Sequence, residues 1–201
     1  MPGQDYQVRM KLKVLSLILT LNISLIMSAE SFGIVVHGGA GVLSGLSTER
    51  QQEIENKVKD TLISAYKILE DGGSSMDAVE FAVSEFEDSA LFNAGKGSVY
   101  NSNEVQEMDA SIMNGADRSA GAVASVQIIK NPIKLARKVL EETDHVLLVG
   151  HGAEIFAKDI EETIVDRSYF HSEKNLKRLK KAKKRITVSY THLRAHETAM
   201  Y

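Results

Sequence analysis

Residues 91–115 read LFNAGKGSVYNSNEVQEMDASIMNG, and few windows of this length carry as much backbone information. Asn93, Gly95 and Gly97 mark a tight turn that needs unusual φ/ψ values. A β-type run follows at 98–100, then a polar Asn-Ser-Asn turn at 101–103, then a second run from Val105. From Met108 to Met113 apolar residues alternate with small or polar ones, and the run closes on Asn114-Gly115, a hairpin signal. The stretch therefore reads as a loop that feeds a β-hairpin, with Asn93 and Asp109 near its ends.

Outward toward the N-terminus, residues 32–36 read as a short apolar strand that runs into His37-Gly38-Gly39-Ala40-Gly41. A glycine-rich turn after a strand invites a phosphate-loop reading. It lacks the Lys-Ser/Thr of a P-loop and the dinucleotide spacing, and the next helix does not begin at the turn. The glycines instead suit close approach of another backbone or a ligand. His37 has no partner cluster for a metal and reads as a hydrogen-bonded structural histidine. Ser47 or Thr48 caps a long helix, with Glu49 favourably placed in its first turn. Ile54, Val58, Leu62, Ala65, Ile68 and Leu69 recur at helical spacing until Asp71-Gly72-Gly73 stops it. Ser74 or Ser75 caps a second helix with an apolar face of Ala78, Val79, Ala82, Val83 and Phe86. Glu85, Glu87 and Asp88 close that helix and read as a solvated face rather than a metal site.

Outward toward the C-terminus, residues 120–129 form a small-residue strand, and Asn131-Pro132 starts a helix through Glu142 with Leu135, Val139 and Leu140 inward. Residues 145–149 read as a buried strand and 153–158 as a short helix; His145 and His151 gather no third ligand. Strands with helices on either side make a layered α/β domain.

A length of 201 residues suffices for one ordinary domain with its own core, and 43% apolar residues argue against disorder. The absence of cysteine excludes a disulfide, a zinc–cysteine site and a thiol nucleophile. The net charge of −3 hides an asymmetry: residues 30–173 hold 12 Lys+Arg against 25 Asp+Glu, a balance of −13, while residues 174–185 carry eight basic side chains. With no aromatic interleaved, residues 174–187 read as a solvated basic linker helix rather than a nucleic-acid surface. At the other end Arg9, Lys11 and Lys13 precede an apolar run at 14–27 and the small residues Ser28, Ala29 and Ser31. That is the order of a secretory signal peptide, with Met10 as the natural start and cleavage after Ala29. The run is too short and too interrupted for a span of about 20 apolar residues. The expectation is an exported protein, periplasmic or secreted, with no membrane attachment once residues 1–29 are removed.

The pairing of LFNAGKG at 91–97 with EMDASIMNG at 107–115 resembles a signature of the plant-type L-asparaginase and isoaspartyl peptidase family. The resemblance runs from Gly33 to about Lys184. It implies the N-terminal part of the four-layer αββα sandwich of N-terminal-nucleophile hydrolases, an α/β (α+β layered) fold with residues 30–173 as its body. It further implies hydrolysis of a side-chain amide, that of asparagine or of a β-aspartyl dipeptide, with no catalytic cofactor. In such enzymes a precursor cuts itself before a threonine, whose hydroxyl attacks the amide carbon while its own α-amine takes the proton. Asn93 would support the chemistry there, and His37, Gly38 and Gly39 would lie beside the catalytic centre. A structural sodium ion would be held by the main-chain carbonyls of Phe86, Glu87, Ser89, Phe92, Ala94 and Lys96. The implied assembly is a homodimer of two-subunit protomers, with no nucleic-acid partner.

The family's threonine follows His-Gly and precedes Val-Gly, and no such segment occurs here; Thr187-Val188 is preceded by Arg185-Ile186. The chain is therefore expected to be a first subunit, inactive alone and completed by a second. Residues 188–198, VSYTHLRAHET, resemble a one-frame translation of a transposase-based sequencing adapter, so 188–201 is expected to be foreign to the fold. Two other functions stay open. One is a glycosylasparaginase, which is similar in the MDASIM hairpin but usually lacks LFNAG; the other is a non-enzymatic binding or interaction fragment.

Overall fold

The computed structural model describes residues 32–39 and 45–198, with side chains as far as Arg185. The chain divides into two units, 1–33 and 34–201, and the first lies almost wholly outside the described residues. The expected signal peptide, Ala40-Gly41 and the side chains of the expected foreign tail also fall outside them.

Helix α1 (Thr48–Glu70) starts where the Ser47 side chain accepts from the Arg50 N–H, and its backbone stops at Asp71 with Gly72 at φ 84°. Helix α2 (Ser75–Glu87) is held by a capping box in which Ser74 and Asp77 satisfy each other's backbone N–H groups. The Asp77 carboxyl is thereby lowered to about 2, first by the Ser74 hydroxyl and then by Arg137. Of the expected α2 face, Ala78, Ala82 and Phe86 are buried, but Val79 is exposed, because it sits on the flank of a narrower stripe.

Strand β1 (Met108–Met113) pairs antiparallel with β2 (Ala120–Val126), closing through the turn that begins at Asn114-Gly115. The register shifts between Met108 and Ala110. There Ser125 takes a left-handed φ of 54°, and its N–H donates to Asp109 Oδ1 at 2.8 Å. That bulge moves the alternation by one residue, so that Val123 and Val126 both face the core. Helix α3 (Pro132–Glu142) opens on proline, as the sequence expects. Strand β3 (Leu147–Val149) pairs parallel with β2 and leads directly into α4 (Gly150–Asp159). The order is β1-β2-β3.

Met108, Ile112, Val123 and Val126 share one core with Ile133, Leu135, Ala136 and Val139 of α3 and Ala153 and Ala157 of α4. Both helices therefore cover the same sheet face. The opposite face is open: Met113, Leu147 and Val149 are exposed, so the strand expected to be buried at 145–149 is not. It is the edge of the described sheet, and only Leu148 reaches the core cluster. Arg137 ties α3 to α2 through Asp77 (2.7 Å) and Glu80 (3.0 Å).

Two expected strands do not form. Residues 32–39 carry no ladder pairing among the described residues, and residues 98–100 are irregular because side chains take their backbone hydrogen bonds. The basic linker is a longer helix than expected, α5 (Glu173–Thr198), whose backbone continues through the stretch expected to be foreign. Among the described residues no helix is long and apolar enough to cross a membrane.

Candidate functional site

The 89–100 segment leaves the end of α2 and folds back on itself. The Phe86 and Phe92 rings pack at a 41° tilt with centroids 4.4 Å apart, which anchors the loop to α2. Gly38 lies against Phe92: a Cβ there would be 3.0 Å from Phe92 Cε1 and 3.6 Å from Val58 Cγ2. The structure thus brings the His37–Gly39 segment to the loop that carries Asn93. His37 Nδ1 accepts from the Gly39 N–H at 3.2 Å, a local bond that bends the segment.

Gly95 and Gly97 form a short 3-10 turn, and both are required sterically. Gly95 has a φ of 46°, and a Cβ on it would sit 2.3 Å from the Glu87 carbonyl oxygen. A Cβ on Gly97 would sit 1.9 Å from the Phe92 oxygen and 3.0 Å from the Ser89 oxygen. Three carbonyls named from the family resemblance thus close around one turn. Ala94 O accepts from the Gly97 N–H and keeps a second lone pair, while Phe86 O accepts from the Ser89 N–H. Neutral carbonyl oxygens crowded around one turn are hard donors that suit a monovalent cation, so the residues present fit a sodium ion. Among the described residues no three His, Cys, Asp or Glu side chains gather to hold a metal.

Glu87 departs from the solvated reading. Its side chain is 3% exposed, Oε1 accepts from the Ile133 N–H at the start of α3 at 3.0 Å, and Oε2 has no partner. Burial pushes its carboxyl up to about 8, against the lowering effect of the Ile133 bond. The helix periodicity placed it at a polar end, but α3 packs over that end. Its neighbours are solvated as expected: Glu85 pairs with Lys57, and Asp88 pairs with Lys130 and accepts from Asn131 and Tyr169. Lys96 extends over the Tyr169 ring, 5.6 Å from its centroid.

Asn93 is exposed, and its Oδ1 accepts from the Val99 N–H at 2.9 Å. A backbone donor fixes which end of the amide is oxygen, so Nδ2 is turned the other way, with no acceptor among the described residues. Three further side chains hold this loop that the sequence did not mark. Gln106 Nε2 donates to Ser98 O (2.8 Å) and Phe170 O (2.7 Å), and Asn175 Nδ2 donates to Gly97 O and Ser98 O (3.1 Å each). Tyr100 Oη shares a hydrogen bond with His171 Nδ1 at 2.9 Å and accepts from the Ser172 N–H. Only the Asn-Ser-Asn turn gave a local signal: Asn101 Oδ1 accepts from the N–H groups of Asn103 and Val105.

Helices on one face of a small mixed sheet, beside a glycine-closed turn that exposes Asn93, make this a layered α/β domain. Residues 30–199 match the Asparaginase family, and the chain belongs to it. Among curated proteins it is 48% identical over 151 residues to the isoaspartyl peptidase/L-asparaginase of Mus musculus, covering 72% of this chain and 46% of that protein. The Homo sapiens isoaspartyl peptidase/L-asparaginase is 47% identical over 150 residues, covering 75% and 48%. The plant-type L-asparaginase of Pyrococcus horikoshii is 50% identical over 125 residues, covering 62% and 40%. The chain spans a little under half the length of the curated relatives it matches.

Proposed function

We propose that this chain supplies the Asn93 loop of an amidohydrolase that cleaves a side-chain amide, either that of asparagine or a β-aspartyl peptide bond. Family membership and the names of the relatives support the reaction class. The observation that carries the residue assignment is the Asn93 amide, with Oδ1 tied down by Val99 and Nδ2 outward. The nucleophile in this proposal is an N-terminal threonine of a second subunit, released by self-cleavage. Its hydroxyl attacks the amide carbon, and its α-amine, with an ordinary pKa of about 7.7–8.0, takes the proton near neutral pH. Negative charge then gathers on the former carbonyl oxygen. Asn93 Nδ2 donates to that oxyanion or orients the threonine, and a fixed donor costs no reorganisation at that moment. His37, Gly38 and Gly39, packed beside Phe92, border the same centre.

The carbonyls of Phe86, Glu87, Ser89, Phe92, Ala94 and Lys96 would hold sodium, which neutralises their dipoles and stiffens the loop without entering the reaction. Export through residues 1–29, and pairing of two-subunit protomers into a homodimer, complete the proposal. In the assembled enzyme Asn93→Ala should lower kcat by about 10²–10³ if Nδ2 is an oxyanion donor. Wild-type turnover in that variant would leave Asn93 only a shaping role in the loop.

A further inference from the structure

The peptide unit between Ser98 and Val99 is gripped at both ends. Its N–H donates to Asn93 Oδ1 at 2.9 Å. Its carbonyl, Ser98 O, accepts from Gln106 Nε2 at 2.8 Å and from Asn175 Nδ2 at 3.1 Å. Ser98 and Gln106 are both buried, 4% and 8% exposed, so these bonds are not exchanged freely with water. Neither amide can be flipped. Gln106 Nε2 faces the carbonyls of Ser98 and Phe170, and Asn175 Nδ2 faces those of Gly97 and Ser98, so donors are required at both places.

Two donors on one carbonyl polarise the peptide and strengthen its N–H as a donor on the far side. That N–H is what orients the Asn93 amide. On the reading of Asn93 given above, we propose that Gln106 and Asn175 are positioning residues, which clamp the Ser98–Val99 peptide and so hold Asn93 Nδ2 toward the reacting centre. Asn175 stands in the first turn of α5, where its N–H donates to Ser172 Oγ, and further along the helix Lys183 reaches Glu104 at 3.1 Å. The basic helix is thereby seated on the loop, and the orientation of Asn93 depends on how that helix is docked. Leu176 and Leu179 lie half-buried on the same side of α5, while Lys180, Lys181 and Lys184 stay exposed, so the face that carries Asn175 is the docked one.

Hydrogen exchange on the full chain tests the clamp without reference to turnover. The Val99 amide is compared with those of Gly97 and Ser98, which bond to Ala94 O and Gly95 O and belong to the same turn. Asn175→Asp keeps the shape but sets an acceptor against two carbonyls; Gln106→Met removes the second donor at similar volume. In each variant Val99 should exchange about tenfold faster or more, with Gly97 and Ser98 within about twofold. Unchanged Val99 protection in Asn175→Asp, the milder half-buried site, overturns the clamp, as does equal loosening of all three amides. In the assembled enzyme Asn175→Asp should lower kcat about tenfold or more with KM little changed. Asn93→Ala separates the two failures. If it loses turnover while Asn175→Asp keeps it, the positioning role is wrong and the Asn93 role stands. If Asn93→Ala itself keeps turnover, both fall.

Discussion

Replacing Gly121 by alanine should be among the most damaging single-methyl changes in this chain. A Cβ there would lie 2.2 Å from Ala136 O, 2.5 Å from Leu140 N and 2.7 Å from Leu140 Cβ. Two of those atoms are backbone, so no side-chain rotation relieves the overlap, and α3 must lift from β2 by about 1 Å to restore ordinary contact. A gap of that size forfeits roughly a quarter to a half of each dispersion contact it opens, at about 0.1–0.2 kcal/mol per contact. Ile133, Leu135, Ala136 and Val139 are the buried side chains of α3 that face this interface. With on the order of 40 contacts crossing it, the loss is about 1–4 kcal/mol, spanning the range for overpacked cores. Urea unfolding followed by circular dichroism should show the midpoint falling by about 1–2 M, with m unchanged. Gly115→Ala, where a Cβ meets nothing within 4 Å, is the control and should be no less stable than the parent, with any gain within about 1 kcal/mol. Alanine also restricts the unfolded chain, which favours folding by about 0.4–1 kcal/mol. A Gly121→Ala protein as stable as the parent, or more so, would refute the strand–helix approach described here.

Glu87 has a folded pKa of about 8, above its ordinary 4.5, so its contribution to stability is full below pH 4.5 and is lost as pH rises through 8. Glu87→Gln keeps an acceptor for the Ile133 N–H, should flatten that decline and should stabilise the chain at pH 7 by about 3 kcal/mol. Parallel stability curves for the two proteins between pH 5 and 8, at fixed sodium, would show that the carboxyl is not held neutral. Sodium affinity should stay within about twofold in this variant, since carbonyls rather than carboxylates are the expected ligands. Gly97→Ala should instead displace the Phe92 carbonyl, 1.9 Å from the added methyl, and weaken sodium binding about tenfold or more by ²³Na relaxation titration. Unchanged affinity there would remove this turn from the ion site. The exposed side chains Met113, Leu147 and Val149 should bind an apolar fluorescent dye, and Met113→Ser with Leu147→Ser should cut the signal by about half or more. Equal fluorescence would place the dye elsewhere.

The elements that the sequence determined alone are those written in local chemistry. The sequence narrowed the caps of α1 and α2 to Ser47 or Thr48 and Ser74 or Ser75, of which the first of each is used. Asp71-Gly72-Gly73 separates the helices, Pro132 opens α3 and Asn114-Gly115 begins the β1–β2 turn. Each signal lies within a few residues of the backbone groups it satisfies, so no knowledge of the rest of the chain is needed. The LFNAG and MDASIM runs likewise carried the family, which the match over 30–199 bears out. Tertiary structure decided the rest. The same polar helix end buried Glu87 and left Asp88 exposed, because the Ile133 N–H of α3 covers the Glu87 carboxyl while Asp88 turns outward to Lys130 and the Asn131 cap. The apolar run at 147–149 gained one strand neighbour and kept an exposed face. Residues 98–100 had strand-like composition, yet their hydrogen bonds go to Asn93, Gln106 and Asn175, the last lying 77 positions from Ser98. A side-chain amide has no period and no fixed offset from its acceptor, so only the path of the folded chain could bring those three to one peptide.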